Sequence, residues 1–435
     1  MMEKHPGKVC STCYLALCVV ASLAVAIPGR SQALLPQDAR LAIAGDSITE
    51  QKLYSKYMEA YLVACAGRTD ISVFQYGWGG ERAQGFAARL ANDLADFRPT
   101  IVTTCYGMND GSYRPYEDSI GAYYEQFMRA TIAGLKEMGI PTIVVGSPGA
   151  VDTKYFRAGQ KWGEVDVSIG YNDNLRHLRD IDEKLAKEFA LTFVDVHTPL
   201  IGAMAKGKMA LGEDYDVCGR DGVHPGPNGQ LVMAYAFLKA LGCDGNLGTI
   251  HIDMSGGTTV TEGHKVLSTG AGKAEIESSR YPFCLDGDAK SSGGTRSIVA
   301  YFPFNQDLNR ITLKVSHLDS EKAKVTWGEE TQEFTRAQLE SGVNLAEIFQ
   351  RTPFDTAFRN VLQAVAVKQS YETNMIKGVI TQFRFLNSEF KDDAEVKAAT
   401  EVLRKKLMER HAPLEANVRA AVVPVKHTIS VEAVK

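Results

Sequence analysis

Four short segments hold residue types that perform acyl chemistry when they are gathered in one place. The first is Gly45-Asp46-Ser47, at the end of an apolar run. A serine where a strand gives way to a helix has backbone N–H groups beside it that favour a developing negative charge. Ser47-Ile48-Thr49-Glu50 also fits the capping box S-x-x-E, in which Ser47 would only cap the helix. The second segment is Gly77-Trp78-Gly79-Gly80, where glycine lets an N–H approach a substrate oxygen, or simply makes a turn. Three glycines crowd there, so the donating amide can lie a residue or more away from Gly77. The third is Gly107-Met108-Asn109-Asp110. Asn109 can donate its side-chain amide to an oxyanion, or close an Asx turn. The fourth is Asp221-Gly222-Val223-His224, followed by Pro225. Three residues apart in a loop, the carboxylate can curl back to the imidazole and fix its tautomer. Nε2 is then left to take a serine proton.

The elements around these segments place them together. Between about 39 and 243, continuous apolar runs (41–45, 71–77, 100–107, 141–148 and 192–197) alternate with helical periodicity near 48–66, 81–97, 118–139, 171–190 and 228–241. Continuous runs suit strands covered on both faces, and strand then helix, repeated, predicts a parallel sheet in a three-layer α/β domain. Three of the segments then fall at the C-terminal ends of successive strands, the rim where open α/β sheets bind ligands. The fourth lies just before the last helix and can return to that rim. Four bland readings would have to coincide for this to be accidental.

The ordered set GDS, Gly77, GMND and DGVHP resembles the SGNH/GDSL hydrolases over about residues 39–243, roughly half the chain. The resemblance implies a flavodoxin-like sheet and a serine esterase. Ser47 would be the nucleophile, His224 the base and Asp221 the third triad member. The oxyanion hole would be the N–H groups of Ser47 and Gly77 with the Asn109 side chain. Such a reaction is a two-step acyl transfer that needs no metal or cofactor.

The rest of the 435 residues reads differently. Lys4, His5 and Lys8, the apolar run Tyr14–Ile27 and Ser31-Gln32-Ala33 follow the order of a secretory signal peptide over 1–33. About 14 apolar residues fall short of the roughly 20 that a spanning helix needs. A secreted or periplasmic protein is therefore expected, with no membrane span once the signal is removed. Beyond it, Cys65, Cys105, Cys218, Cys243 and Cys284 remain; Cys218 with Cys243 is a candidate disulfide, and the alternative is buried thiols. After the α/β domain (34–245), KAEIES, TRSIVAYF, RITLKVSHL and KAKVTWG suggest antiparallel strands of a β-rich accessory domain over 250–350. Residues 351–435 read as a helical C-terminal region, with HTISVEAV as one possible last strand.

With 48 basic against 52 acidic residues, the formal charge is −4, so the footprint of a nucleic-acid binder is missing. An exported esterase with an extra β region points to acetyl groups on carbohydrate, with a small-molecule or glycan ester as the partner. A general short-chain lipase, arylesterase or thioesterase is the alternative within the same fold. A non-catalytic glycan-binding or structural protein is the alternative outside it. Trp78, Arg82 and Tyr106 lie near the motifs, as substrate contacts or as ordinary core and surface residues.

Overall fold

Strand β1 (Arg40–Gly45) is buried from Leu41 onward and passes directly into α1 (Ser47–Glu50). Then follow α2 (Tyr54–Ala60), β2 (Ser72–Gln75), α3 (Ala83–Asp93), β3 (Ile101–Cys105), α4 (Asp118–Glu137) and β4 (Thr142–Gly146). A small hairpin, β5 (Lys161–Trp162) with β6 (Val165–Asp166), precedes α5 (Val167–Phe189), β7 (Thr192–Val194), α6 (His197–Leu211) and α7 (Pro227–Ala240). The computed structural model describes residues 34–434 apart from residue 271, so the expected signal peptide lies outside the described residues. Among these residues no helix is long and apolar enough to cross a membrane.

The five long-expected strands form one parallel sheet in the order β2-β1-β3-β4-β7. Because side chains alternate across a strand, β1 feeds two cores. Leu41 and Ile43 join Tyr54, Met58, Leu231 and Phe237 from α2 and α7. Ala42 and Ala44 join Phe86, Tyr124 and Leu178 from α3, α4 and α5. The result is the expected three-layer α/β arrangement.

Helix α6 is missing from the sequence reading, which extends a strand through His197. The strand stops at Val194, and Asp195 accepts from Thr198 N at 2.9 Å, capping the turn that follows. Pro199 sits in the first helical turn, where it is tolerated, while Gly202 and Gly207 dilute the helical pattern.

Beyond Leu241 come β8 (Asn246–Asp253), β9 (Thr258–Val260), β10 (His264–Gly270), β11 (Lys273–Ser278), α8 (Phe304–Leu308) and β12 (Arg310–Ser316). They are followed by β13 (Lys322–Trp327), β14 (Glu330–Thr335), α9 (Arg336–Ser341), β15 (Val343–Asn344) and α10 (Leu345–Ile348). Last are α11 (Asp355–Gly378), α12 (Phe383–Glu389), α13 (Ala394–Ala420) and β16 (Val425–Val434). These build a sheet β10-β11-β16-β13-β14 and a sheet β15-β12-β8-β9.

Three details correct the expectation. The segment TRSIVAYF is not a strand; it holds a short 3-10 turn, Ile298–Ala300. Its apolar residues pack into the core without a pairing partner, which composition alone does not reveal. Strands β8 and β12 pair in parallel, not antiparallel, because the chain between them is long enough for a crossover. Cys218 and Cys243 are free thiols, as are Cys65, Cys105 and Cys284; Cys65, Cys105 and Cys218 are buried.

The final strand expected from HTISVEAV is the middle strand of its sheet, with His427, Ile429 and Val431 buried. Helix α11 runs along the edge of the parallel sheet: Val361 and Val365 enter one core, Met375 and Ile376 the other. It also satisfies backbone groups on the outer, unpaired side of the buried edge strand β2. Gln75 N donates to Glu372 Oε2 at 3.0 Å, and Lys368 Nζ donates to Val73 O at 2.5 Å.

Candidate active site

The N-cap of α1 is Asp46, whose Oδ1 accepts from Ile48 N at 2.9 Å. That resolves the capping-box alternative: Ser47 is the first helical residue and its hydroxyl is spare. Glu50 does not reach back to a cap either; its carboxylate accepts from Lys377 Nζ and from Gly79 N. Ser47 Oγ instead lies 2.8 Å from His224 Nε2.

The loop 219–226 delivers that imidazole. Gly222 has φ +76°, and a Cβ there would lie 2.3 Å from Phe156 N, so the turn requires glycine. His224 Nδ1 is 2.6 Å from Asp221 Oδ2. Asp221 Oδ1 accepts from Val223 N and His224 N, both at 2.9 Å. Partial burial pushes the Asp221 carboxyl up, but these N–H donors and the imidazole outweigh it and hold it below the usual range. The structure therefore brings Ser47, His224 and Asp221 into one relay. A hydroxyl proton can pass to Nε2 while an ionised carboxylate holds Nδ1–H and stabilises the imidazolium. The site is open: the side chains of His224 and Asp221 are 35% and 54% exposed.

Asn109 sits in the turn after β3. It is fastened from both ends of its amide, and the Asx-turn alternative is not what the side chain does. Nδ2 donates to Glu81 O at 3.0 Å, and Oδ1 accepts from Tyr113 OH at 2.5 Å. One Nδ2 hydrogen remains for an oxyanion. The turn itself is pinned by Asp110, which accepts from Ala83 N (3.0 Å) and Gly107 N (3.1 Å).

Gly77 ends the turn's approach to α1. It is buried, and a Cβ on it would lie 2.3 Å from Glu50 N, so it supports α1 by close backbone approach. Trp78 N continues the β1–β2 pairing by donating to Gly45 O at 3.0 Å, and Gly79 N is taken by Glu50. Gly80 is exposed, has φ +73°, and adjoins Glu81, the residue Asn109 touches.

Two further carboxylates lie beneath the site. Burial, helped by the charges of Asp110 and Glu81, raises Asp46 to about 7 against the opposing Ile48 N–H. Burial raises Asp110 to about 6 against its backbone donors. Tyr106 is wholly buried and donates to Glu81 Oε2 at 2.8 Å, so it is a core residue. Trp78 is half-buried, with Lys377 Nζ and Arg89 Cζ at 5.0 and 5.2 Å from its ring centroid.

Sequence reasoning passes over Tyr113, which holds Asn109, and Lys377, which holds Glu50. Nothing near Tyr113 marks it except an unusually long strand-to-helix connection. Lys377 is 327 residues from Glu50.

Residues 43–232 match the model of the GDSL-like lipase/acylhydrolase family. No curated protein sequence matches the chain. A gut microbial diltiazem-metabolizing enzyme is similar in structure over 93% of this chain and 100% of its own, with a TM-score of 0.69 and 20% identity. A catalytic mutant of an acetylxylan esterase from Geobacillus stearothermophilus covers 48% of this chain and 96% of its own, with a TM-score of 0.38 and 19% identity. An alpha/beta hydrolase from the metagenome of Lake Arreo, Spain, covers 49% and 99%, with a TM-score of 0.38 and 20% identity. The first shares the fold along almost the whole chain, the C-terminal sheets and helices included.

Proposed function

We propose, for a chain whose residues 43–232 form a GDSL-like lipase/acylhydrolase domain and which is an ester-hydrolysing enzyme, that it removes O-acetyl groups from carbohydrate through an acyl-enzyme on Ser47. His224 Nε2 takes the Ser47 proton as Oγ attacks the ester carbonyl, and Asp221 steadies the imidazolium. The negative oxygen is received by Ser47 N–H, the Asn109 amide and a glycine amide of the 77–80 turn. Of those glycines, Gly77 keeps the expected role, and Gly80, exposed beside the Glu81 carbonyl that holds Asn109, is the alternative donor. His224 then returns the proton to the leaving alcohol, activates a water, and acetate departs.

The observation that carries this reading is the relay of 2.8 Å and 2.6 Å standing at an open surface. An open triad suits a small acyl group on a bulky, solvated alcohol. Residues 1–33, read as an export signal, would place the enzyme where polymeric glycans are met. The test is a panel of esters of increasing acyl length, with acetylated xylan and other acetylated glycans alongside and Ser47→Ala as the blank. Acetyl selectivity with release from glycan supports the reading. Preference for long acyl chains, or for small-molecule esters alone, overturns it.

A further inference from the structure

Two guanidinium groups converge on the two-residue turn that borders the site. Arg82 Nη2 donates to Ser112 Oγ at 3.2 Å, and Arg157 Nη1 donates to Tyr113 O at 3.0 Å. Tyr113 is the residue that holds Asn109, so both charges stand at the edge of the candidate oxyanion hole. Both arginines are exposed, and among the described residues neither forms an ion pair.

The carboxylates nearby are already engaged. Glu81 is gripped by Arg89 at 2.7 and 2.8 Å, Asp110 by two backbone N–H groups, and Asp221 by His224. Burial also holds Asp46 and Asp110 towards their protonated forms, which weakens the negative field beneath the rim. Arg82 is felt by the Asp110 carboxylate and Arg157 lies over the Tyr113 and Phe156 rings, but in a chain whose formal charge is −4 two exposed guanidinium groups without an ion pair at the site rim are a local feature.

Backbone strain marks the same place. Ser112 (φ +57°), Tyr113 (φ +56°) and Arg157 (φ +45°) all lie in the left-handed region, which non-glycine residues seldom occupy. Such strain persists where the surroundings over-determine it, and it gathers at binding sites. From Arg82 a groove of about 380 Å³ continues past Gly79 and Gly80 to Arg384, a third exposed guanidinium. Arg82 thus lines a groove, while Arg157 stands on the other side of the 112–113 turn's contacts.

We propose that Arg82 and Arg157 form an anion subsite, so that the preferred substrate carries a carboxylate or sulfate close to the ester. The inference rests on the deacetylase reading: with an acetyl group as the acyl part, the charge must sit on the alcohol. The substrate class is then acetyl esters of acidic alcohols, such as a glycan bearing uronate carboxylates or sulfate groups.

The test uses the full chain and three acetates of one phenol skeleton: 4-acetoxybenzoate, 4-acetoxybenzenesulfonate and the neutral 4-acetoxybenzamide. The wild type should favour an anionic ester over the amide by about tenfold or more in kcat/KM, as a hydrogen bond to a charged group is worth. Added salt should shrink that ratio. Arg82→Gln and Arg157→Gln should each bring the ratio towards one, and Arg→Lys at either position should restore part of it. The ratio between carboxylate and sulfonate tells the two anion sources apart. On the wild type alone, benzoate should inhibit amide hydrolysis competitively at lower concentration than benzamide. Equal rates for charged and neutral acetates with Ser47-dependent turnover overturn the subsite and leave the esterase reading standing. Absence of Ser47-dependent turnover on all three overturns both.

Discussion

Lys377 on α11 donates to Glu50 Oε1 at 2.6 Å, while Oε2 of the same carboxylate accepts from Gly79 N. A residue outside the family match thus fixes both the helix that begins at Ser47 and the glycine turn proposed to hold the oxyanion. The pair is about a quarter to a third exposed, so its direct worth to stability is about 0–1 kcal/mol. Its value to catalysis is positional, where a small misplacement costs far more. Lys377→Met should lower kcat for an acetyl ester by about tenfold with KM and Tm little changed, and Lys377→Arg should keep most activity. Steady-state kinetics with a thermal melt checks this, and an unaltered kcat would show that the turn holds itself.

Tyr113 should matter through Asn109. Asn109→Ala is expected to cost on the order of 10²–10³ in kcat if the amide is an oxyanion donor. Tyr113→Phe removes only the hydroxyl that orients that amide, so a smaller loss in kcat is expected, with no further loss when it is combined with Asn109→Ala. Full additivity in the double variant would mean that Tyr113 acts by another route.

These two helpers show where legibility in the sequence ended. Ser47, Asp221 and His224 were readable because strand ends and a three-residue loop spacing fix them locally. The parallel sheet was readable because buried strands are continuous apolar runs. Tyr113 was hidden because a left-handed tyrosine in a long connection leaves no mark in composition. Lys377 and Lys368 were hidden because Glu50 and Val73, which they reach, lie about three hundred residues away and meet them only after α11 docks on the edge of β2. The close approach of Gly77 to α1 was hidden, since a glycine that admits a ligand and one that admits a backbone look alike. The middle position of β16 is likewise a property of the whole sheet and not of its ten residues.

Burial raises Asp46 to about 7, above the ordinary aspartate value near 4 that the unfolded chain has. The folded state therefore binds more protons between those values, so this group's contribution to stability is present at about pH 4 and lost as pH rises through 7. Asp110, raised to about 6, acts with the same sign. Asp46→Asn keeps an oxygen for Ile48 N and removes the titration. Its urea midpoint should fall less than that of the wild type between pH 5 and 8. Parallel pH curves for the two proteins would contradict the assignment.

Lys368 is fully buried between Glu59 (3.0 Å) and Glu372 (2.6 Å), and His411 Nε2 lies 2.8 Å from the latter. Removing one member of a buried ion network leaves uncompensated charge and typically costs 3–5 kcal/mol. Lys368→Met should therefore lower the urea midpoint sharply. Lys377→Met, on the same helix but partly exposed, should scarcely move it. A loss below about 1 kcal/mol at Lys368 would mean that Glu59 and Glu372 rearrange or protonate without cost.

The most direct measurement is acetyl transfer to Ser47 itself. The wild-type chain and Ser47→Ala are mixed with an activated acetyl ester, followed for acetate release, and quenched for intact mass. Turnover by the wild type with a transient acetyl adduct on the Ser47 peptide, and neither in Ser47→Ala, is the predicted result. Acetate release at the wild-type rate by Ser47→Ala, or an adduct on another residue, would contradict it.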